Sequence, residues 1–150
     1  METSFNKELP VAIGADHAGF EYKEEVKKLL AESGIGIDDK GTYSADSVDY
    51  PDFAHPVATD VTEHKAAFGI LICGSGNGVC ITANKHAGIR AALCWNEELA
   101  SLARQHNNAN VLCVPARFVS IDLAKAMVKT FMETPFEGGR HEKRVEKISL

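Results

Sequence analysis

Cys73 and the run Gly74-Ser-Gly-Asn-Gly78 behind it form the stretch of this sequence best suited to chemistry. Residues 68–72 are a short apolar run of the kind a buried parallel strand needs, and Cys73 stands where it stops. Gly74, Gly76 and Gly78 alternate with Ser75 and Asn77. A backbone so poor in Cβ atoms turns sharply and lets its N–H groups converge on an anion. Residues 79–86 read as helix, so the loop lies at a helix N-terminus, where the dipole favours negative charge. A thiol on the lip of such a loop is a candidate thiolate. The plainer use is Cys73 as a small core residue and the glycines as a tight turn.

Other pairs carry chemistry at their own spacings. Asp16-His17 closes a first apolar run; it reads either as a helix cap with a surface imidazole or as part of a crevice. His106-Asn107 ends a helical stretch, where a histidine also complements the dipole. Arg140 and Arg144 are four apart, on one helical face, and either form a solvated patch or grip phosphate. His55, His64, His86 and His141 read as surface residues. Cys94 and Cys113 sit inside apolar runs and read as core, with Cys80 as packing. No Cys-x-x-Cys pair or zinc-like His spacing is present, so no metal is expected.

The elements that must position these groups alternate. Strands are expected at 10–15, 35–37, 68–72, 89–94 and 110–114. Helices lie between them: Tyr22, Val26, Leu29 and Leu30 form one stripe with lysines and glutamates opposite. Ala54, Val57, Ala58 and Val61 form another, as do Leu99, Leu102, Ala103 and His106, and Ile121, Ala124, Val128 and Phe131. Residues 40–52 make a polar connection long enough to be a binding loop. Such alternation predicts an α/β three-layer sandwich, flavodoxin-like or Rossmann-like, with a five-stranded parallel sheet. If strands one and three are neighbours, Asp16-His17 and the Cys73 loop share the crevice at the strand carboxyl ends.

The 150 residues suit one domain, with 1–8 as an N-terminal extension and 137–150 as a basic segment and short helix. A chain of this size buries roughly 70% of its unfolded surface. The net charge of −5 argues against nucleic acid. No apolar run approaches the ~20 residues that cross a bilayer, and the first residues carry no apolar signal core. A cytoplasmic protein without disulfides is expected.

Residues 74–78 invite comparison with the dinucleotide fingerprint G-x-G-x-x-G, and Glu97 lies about twenty residues on, as that motif wants. The third glycine is one position early, and the loop follows the third strand rather than the first. Nucleotide binding without catalysis is thus the rival reading.

A longer set of motifs points elsewhere. Gly14-Ala-Asp-His-Ala-Gly19, Asp39-Lys-Gly-Thr42, Asp49-Tyr-Pro51, Gly69-Ile-Leu-Ile-Cys-Gly-Ser-Gly76, Ala83-Asn-Lys85, Gly88-Ile-Arg-Ala91, Arg104-Gln-His-Asn107 and Glu137-Gly-Gly-Arg-His141 occur in order. Together they resemble the type B ribose-5-phosphate isomerases and the related galactose-6-phosphate isomerase subunits, over nearly the whole chain. The resemblance implies cofactor-free aldose–ketose isomerisation of a sugar phosphate, foremost ribose 5-phosphate. Tetrose, allose or galactose 6-phosphate are the alternatives.

The resemblance also implies a homodimer or homotetramer with shared sites. Cys73 would be the base, Ser75 a hydroxyl in the loop, and Gly74, Gly76, Asn77 and Gly78 the anion cradle. Asp16 and Tyr50 would line the sugar. The partner would lend His106, for ring opening, and Asn107. His17, Arg140 and Arg144 would hold phosphate, with Arg117 supplied by the partner. One branch of the family replaces the cysteine by a glutamate at the position of Val79. Val79 cannot act as a base, so the cysteine branch applies, although Asn77 matches the other branch.

Overall fold

The computed structural model describes residues 2–149. Five strands, β1 (Val11–Ala15), β2 (Ile37–Asp39), β3 (Gly69–Cys73), β4 (Ala91–Leu93) and β5 (Val111–Pro115), form one sheet in the order β2-β1-β3-β5-β4. All pairings are parallel. Helices connect them: α1 (Phe20–Glu32), α2 (Pro51–Thr62), α3 (Asn77–Asn84), α4 (Glu97–Asn107) and α5 (Ile121–Glu133), followed by α6 (Arg140–Glu146).

β1, β3 and β5 are buried at every residue because both faces are covered. Ile13, Ile70, Ile72, Leu112 and Val114 face the layer of α1, α4 and α5; Ala12, Leu71, Cys73, Val111 and Cys113 face α2 and α3. This is the expected three-layer α/β sandwich. Relative to the flavodoxin order 2-1-3-4-5, β4 and β5 exchange places. β4 is three residues long and half-buried, which suits an edge, whereas β5 is wholly buried and suits the interior. Asn84 covers the exposed edge of β4: its side-chain carbonyl accepts from Ala91 N–H at 2.8 Å and its amide donates to Ala91 C=O at 3.0 Å.

The element boundaries differ from sequence expectation where backbone geometry overrules pattern. β2 is Ile37–Asp39 rather than 35–37: the Ile35 N–H bonds back to Leu30 C=O at 2.9 Å, closing α1, and the pairing with β1 starts at Val11–Ile37. α3 starts at Asn77, two residues early, because Gly76 takes φ +75° and turns the chain straight from strand to helix. Lys23, expected on the outer face of α1, is fully buried. Its ammonium lies 2.6 Å from Asp39 and 3.2 Å from Glu24. Burial alone would raise the Asp39 carboxyl, but hydrogen bonds from Lys23, Lys27 and the Gly41 N–H outweigh it and hold it below its ordinary value.

The N-terminal extension packs. Phe5 stacks on Phe68 at 4.4 Å and carries the Arg104 guanidinium 4.2 Å above its ring. Burial lowers Arg104 to about 10. Its guanidinium donates to Thr134 C=O, Asn108 Oδ1 and Ala109 C=O, which fixes the C-terminal end of α4.

Candidate active site

The chain leaves β1 toward β2 on one side of the sheet and continues from β3 toward the other, so the switch point lies between β1 and β3. Their register ends at Ala15–Ile72. The Asp16 N–H donates to Ile72 C=O at 3.2 Å, which places Asp16 beside the start of the Cys73 loop. The ladder between β3 and β5 also runs on: Ala116 N–H bonds Cys73 C=O at 2.9 Å and Arg117 N–H bonds Gly74 C=O at 3.0 Å. Three strand ends thus converge on one cavity of about 540 Å³, lined by Asp16, His17, Tyr50, Cys73, Ser75 and Arg117 among others.

Each lining group is held. Asp16 is buried, and its Oδ1 accepts from the Ala18 and Gly19 N–H groups at 3.0 and 3.1 Å, stiffening the turn into α1. The crevice reading of Asp16 holds, whereas the cap reading does not: the N-cap of α1 is Gly19, and Asp16 bonds the turn ahead of it. His17 Nδ1 accepts from Val48 N–H at 3.2 Å, which ties residues 40–50 across the strand ends. With Nδ1 accepting, the proton of the neutral ring sits on Nε2, the nitrogen left to donate to a ligand. Tyr50, the N-cap of α2, lays its ring over Gly78.

Cys73 is 5% exposed, yet it alone of the four cysteines lines this cavity. Burial pushes the Cys94 thiol up to about 12 and Cys113 well above its ordinary value. Those two are core thiols, as expected. Cys80 is half-buried and its thiol donates to Ala91 C=O at 3.4 Å, a packing role. In the glycine loop the Ser75 Oγ accepts from Asn77 N–H at 3.3 Å. The N–H groups of Ser75, Gly76, Gly78 and Val79 find no acceptor among the described residues. Amides at a helix start, left without partners beside a thiol, are equipped to receive an oxyanion. Val79 is fully buried in the core under this loop and outside the cavity lining.

Arg117 corrects an expectation. It was to come from a partner subunit; instead its guanidinium lies over its own chain's loop, where a Cβ on Gly74 would sit 3.1 Å from it. The hydrogen bond from Arg117 N–H to Gly74 C=O holds its backbone beside that loop. Phe118, 73% exposed at the cavity mouth, carried no sequence signal, since exposed aromatics have no period.

His106, Asn107, Arg140 and Arg144 do not join this cavity within one chain. Arg140 and Arg144 line a separate depression with Lys143 and Lys147 on α6. His106 stacks on His141, with ring centroids 4.2 Å apart and planes 13° from parallel. His141 was expected at the surface; it is buried because α6 docks its first turn on α4. His106, Glu137 and His141 offer ligand atoms within 4.8 Å of one another. Imidazole lone pairs lie in the ring plane, however, and two rings stacked face to face cannot both aim theirs at one ion without unstacking.

Comparison with known proteins agrees with this geometry. The profile of the Ribose/Galactose Isomerase family matches residues 11–148. Ribose-5-phosphate isomerase B of Escherichia coli strain K12 is 47% identical over 139 residues, 93% of each chain. The crystal structure of a ribose 5-phosphate isomerase from Thermotoga maritima superposes with TM-score 0.92 at 52% identity, covering 94% of this chain and 97% of that one. The structure of ribose-5-phosphate isomerase B from Mycoplasma genitalium with bound ribulose-5-phosphate gives 0.92 at 43% identity, covering 95% of both chains. The chain belongs to the ribose/galactose isomerase family.

Proposed function

We propose that this aldose–ketose isomerase converts D-ribose 5-phosphate to D-ribulose 5-phosphate through an enediolate, with Cys73 as the base. The observation that carries the reading is one thiol set beside partnerless loop amides in a cavity that also holds an acid, an imidazole and a guanidinium.

The reaction moves a proton from C2 to C1. That proton is weakly acidic, so the negative oxygen must be stabilised where it develops. The amides of Ser75, Gly76 and Gly78 do so without reorganising; one such donor is worth about 2.7–4 kcal/mol in other enzymes. The Cys73 thiolate takes the C2 proton and returns it to C1 on the same face, the hydroxyl proton passes from O2 to O1, and Asp16 and Tyr50 orient the sugar hydroxyls. His17, through its Nε2–H, and Arg117 hold phosphate, and the remote binding energy aligns C1 and C2 with sulfur.

Ribose 5-phosphate is a closed furanose in solution and must open first. The proposal gives that step to His106 of the partner subunit, with Asn107 beside it and Arg140 and Arg144 completing the phosphate grip. Within one chain these four lie outside the cavity, so the proposal includes a homodimer, or a dimer of such dimers. The exposed Trp95 and Phe118, rimming a second hollow of about 450 Å³ that shares Ser75 with the site, are apolar surface for that contact. The setting proposed is cytoplasmic, in keeping with four free thiols. Among the described residues no helix is long and apolar enough to cross a membrane.

A coupled isomerase assay over four-, five- and six-carbon aldose phosphates tests the substrate. Turnover should be highest with ribose 5-phosphate; a clear preference for another chain length would overturn that choice.

A further inference from the structure

We propose that His141 is a positioning residue for His106: its buried ring is the platform that fixes the plane of the His106 imidazole, and so the direction of the nitrogen that handles the ring-opening proton. This deepens the function proposed above and rests on it.

The platform is itself anchored. His141 is 7% exposed, and its N–H donates to Gly138 C=O at 3.1 Å. Glu137 links both partners: its N–H donates to the carbonyl of Gln105, the residue before His106, at 3.1 Å, and its carboxylate lies 3.5 Å from His141 Nε2. Arg104 holds the same helix end through three hydrogen bonds. His106, on the last turn of α4, is only half-buried and makes no side-chain hydrogen bond among the described residues. The stack 4.2 Å away is what orients it.

The charges around the pair suit the same division of labour. Two protonated rings so close repel each other, and Arg140 and Arg144 add to that, with the Glu137 carboxylate opposing. Burial, then His106 and Arg140, hold His141 below its ordinary value. The same surroundings disfavour a proton on His141 and suit its ring to stacking.

Substrate chemistry supplies the test. Ribose 5-phosphate closes through O4 and must be opened, whereas ribulose 5-phosphate has its O5 esterified and stays open-chain. The ring step is therefore part of isomerisation in both directions, whose rates the equilibrium constant ties together, whereas removal of the C1 proton of ribulose 5-phosphate stops at the enediolate and does not pass through it. In His141→Ala, forward kcat/KM should fall roughly 10- to 100-fold, the scale on which misplacing a catalytic group acts. Reverse kcat/KM falls by the same factor, while exchange of the ribulose 5-phosphate C1 proton in D2O, followed by proton NMR, should stay within about twofold of wild type. His141→Phe, which keeps a flat ring for stacking, should recover most of the forward loss and also serves if the alanine variant fails to fold. An equal fall in exchange and isomerisation, no fall in isomerisation, or no rescue by phenylalanine would overturn the inference. Absence of both reactions in the wild-type protein would instead overturn the proposed function.

Discussion

The ring of Tyr50 covers Gly78 so closely that a Cβ on that glycine would sit 2.5 Å from Tyr50 Cε1. The contact joins the N-terminus of α2 to the first turn of α3 and closes one wall of the cavity around Cys73. Gly78→Ala should therefore push Tyr50 aside. We expect a stability loss of about 1–3 kcal/mol, the scale of overpacking, and a larger fractional loss of kcat/KM. Thermal denaturation and steady-state kinetics check this; an unchanged kcat/KM would separate Tyr50 from the substrate.

A division of the site between chains is testable by mixing inactive variants. Cys73→Ala subunits combined with Arg144→Ala subunits should regain activity, because half of random pairs are mixed and each has one intact site, so roughly a quarter of wild-type turnover returns. Cys73→Ala combined with Arg117→Ala should regain none, since both residues serve the same chain's cavity. Recovery in the second mixture, or failure in the first, would redraw the site.

Acid sensitivity follows from two histidines. His141 is held below its ordinary value by burial, then by His106 and Arg140; His86 by burial and then His55. The unfolded chain protonates these residues near pH 6.5, while the folded chain resists until lower pH. Stability should thus fall as pH drops through about 6.5 and level off below the folded values. Denaturant melts at pH 7.5 and 5.5 measure the drop, and His141→Phe should shrink it. Asp39 acts in the same sense at lower pH: its depressed carboxyl stabilises above the unfolded value near 3.9 and loses that contribution in stronger acid.

The rival nucleotide reading is settled by thermal shift. At 100 times its Kd a ligand stabilises by about 2.7 kcal/mol, or roughly 5–10 °C in a chain of this size. Ribose 5-phosphate should produce that shift and AMP or NAD should not; the reverse pattern would favour the nucleotide reading.

Much of this was legible in the sequence because local pattern and global fold agree. The Phe68–Ile72 run, the thiol at its end and the alternating glycines sit at the switch point as their types demand, and Asp16-His17 meets them there. What escaped depends on contacts between distant residues. Lys23 carries the charge of a surface residue but is buried by its pairing with Asp39. His141 looked exposed because nothing local announces that α6 folds back on α4. Arg117 lies two residues past the end of β5, and only the continued ladder to Gly74 shows which cavity it borders. The exchange of β4 and β5 leaves no mark in the sequence, where 89–94 reads as a full strand although β4 is only Ala91–Leu93.

The most direct measurement is wash-out of the C2 proton of ribose 5-phosphate in D2O, followed by proton NMR, with Cys73→Ser compared to wild type and the fold verified by circular dichroism. Serine keeps the shape but is far harder to ionise, so both isomerisation and wash-out should fall by about 10²- to 10⁴-fold, the share of a positioned base. Wash-out at the wild-type rate in a folded Cys73→Ser protein would show that another group removes the proton.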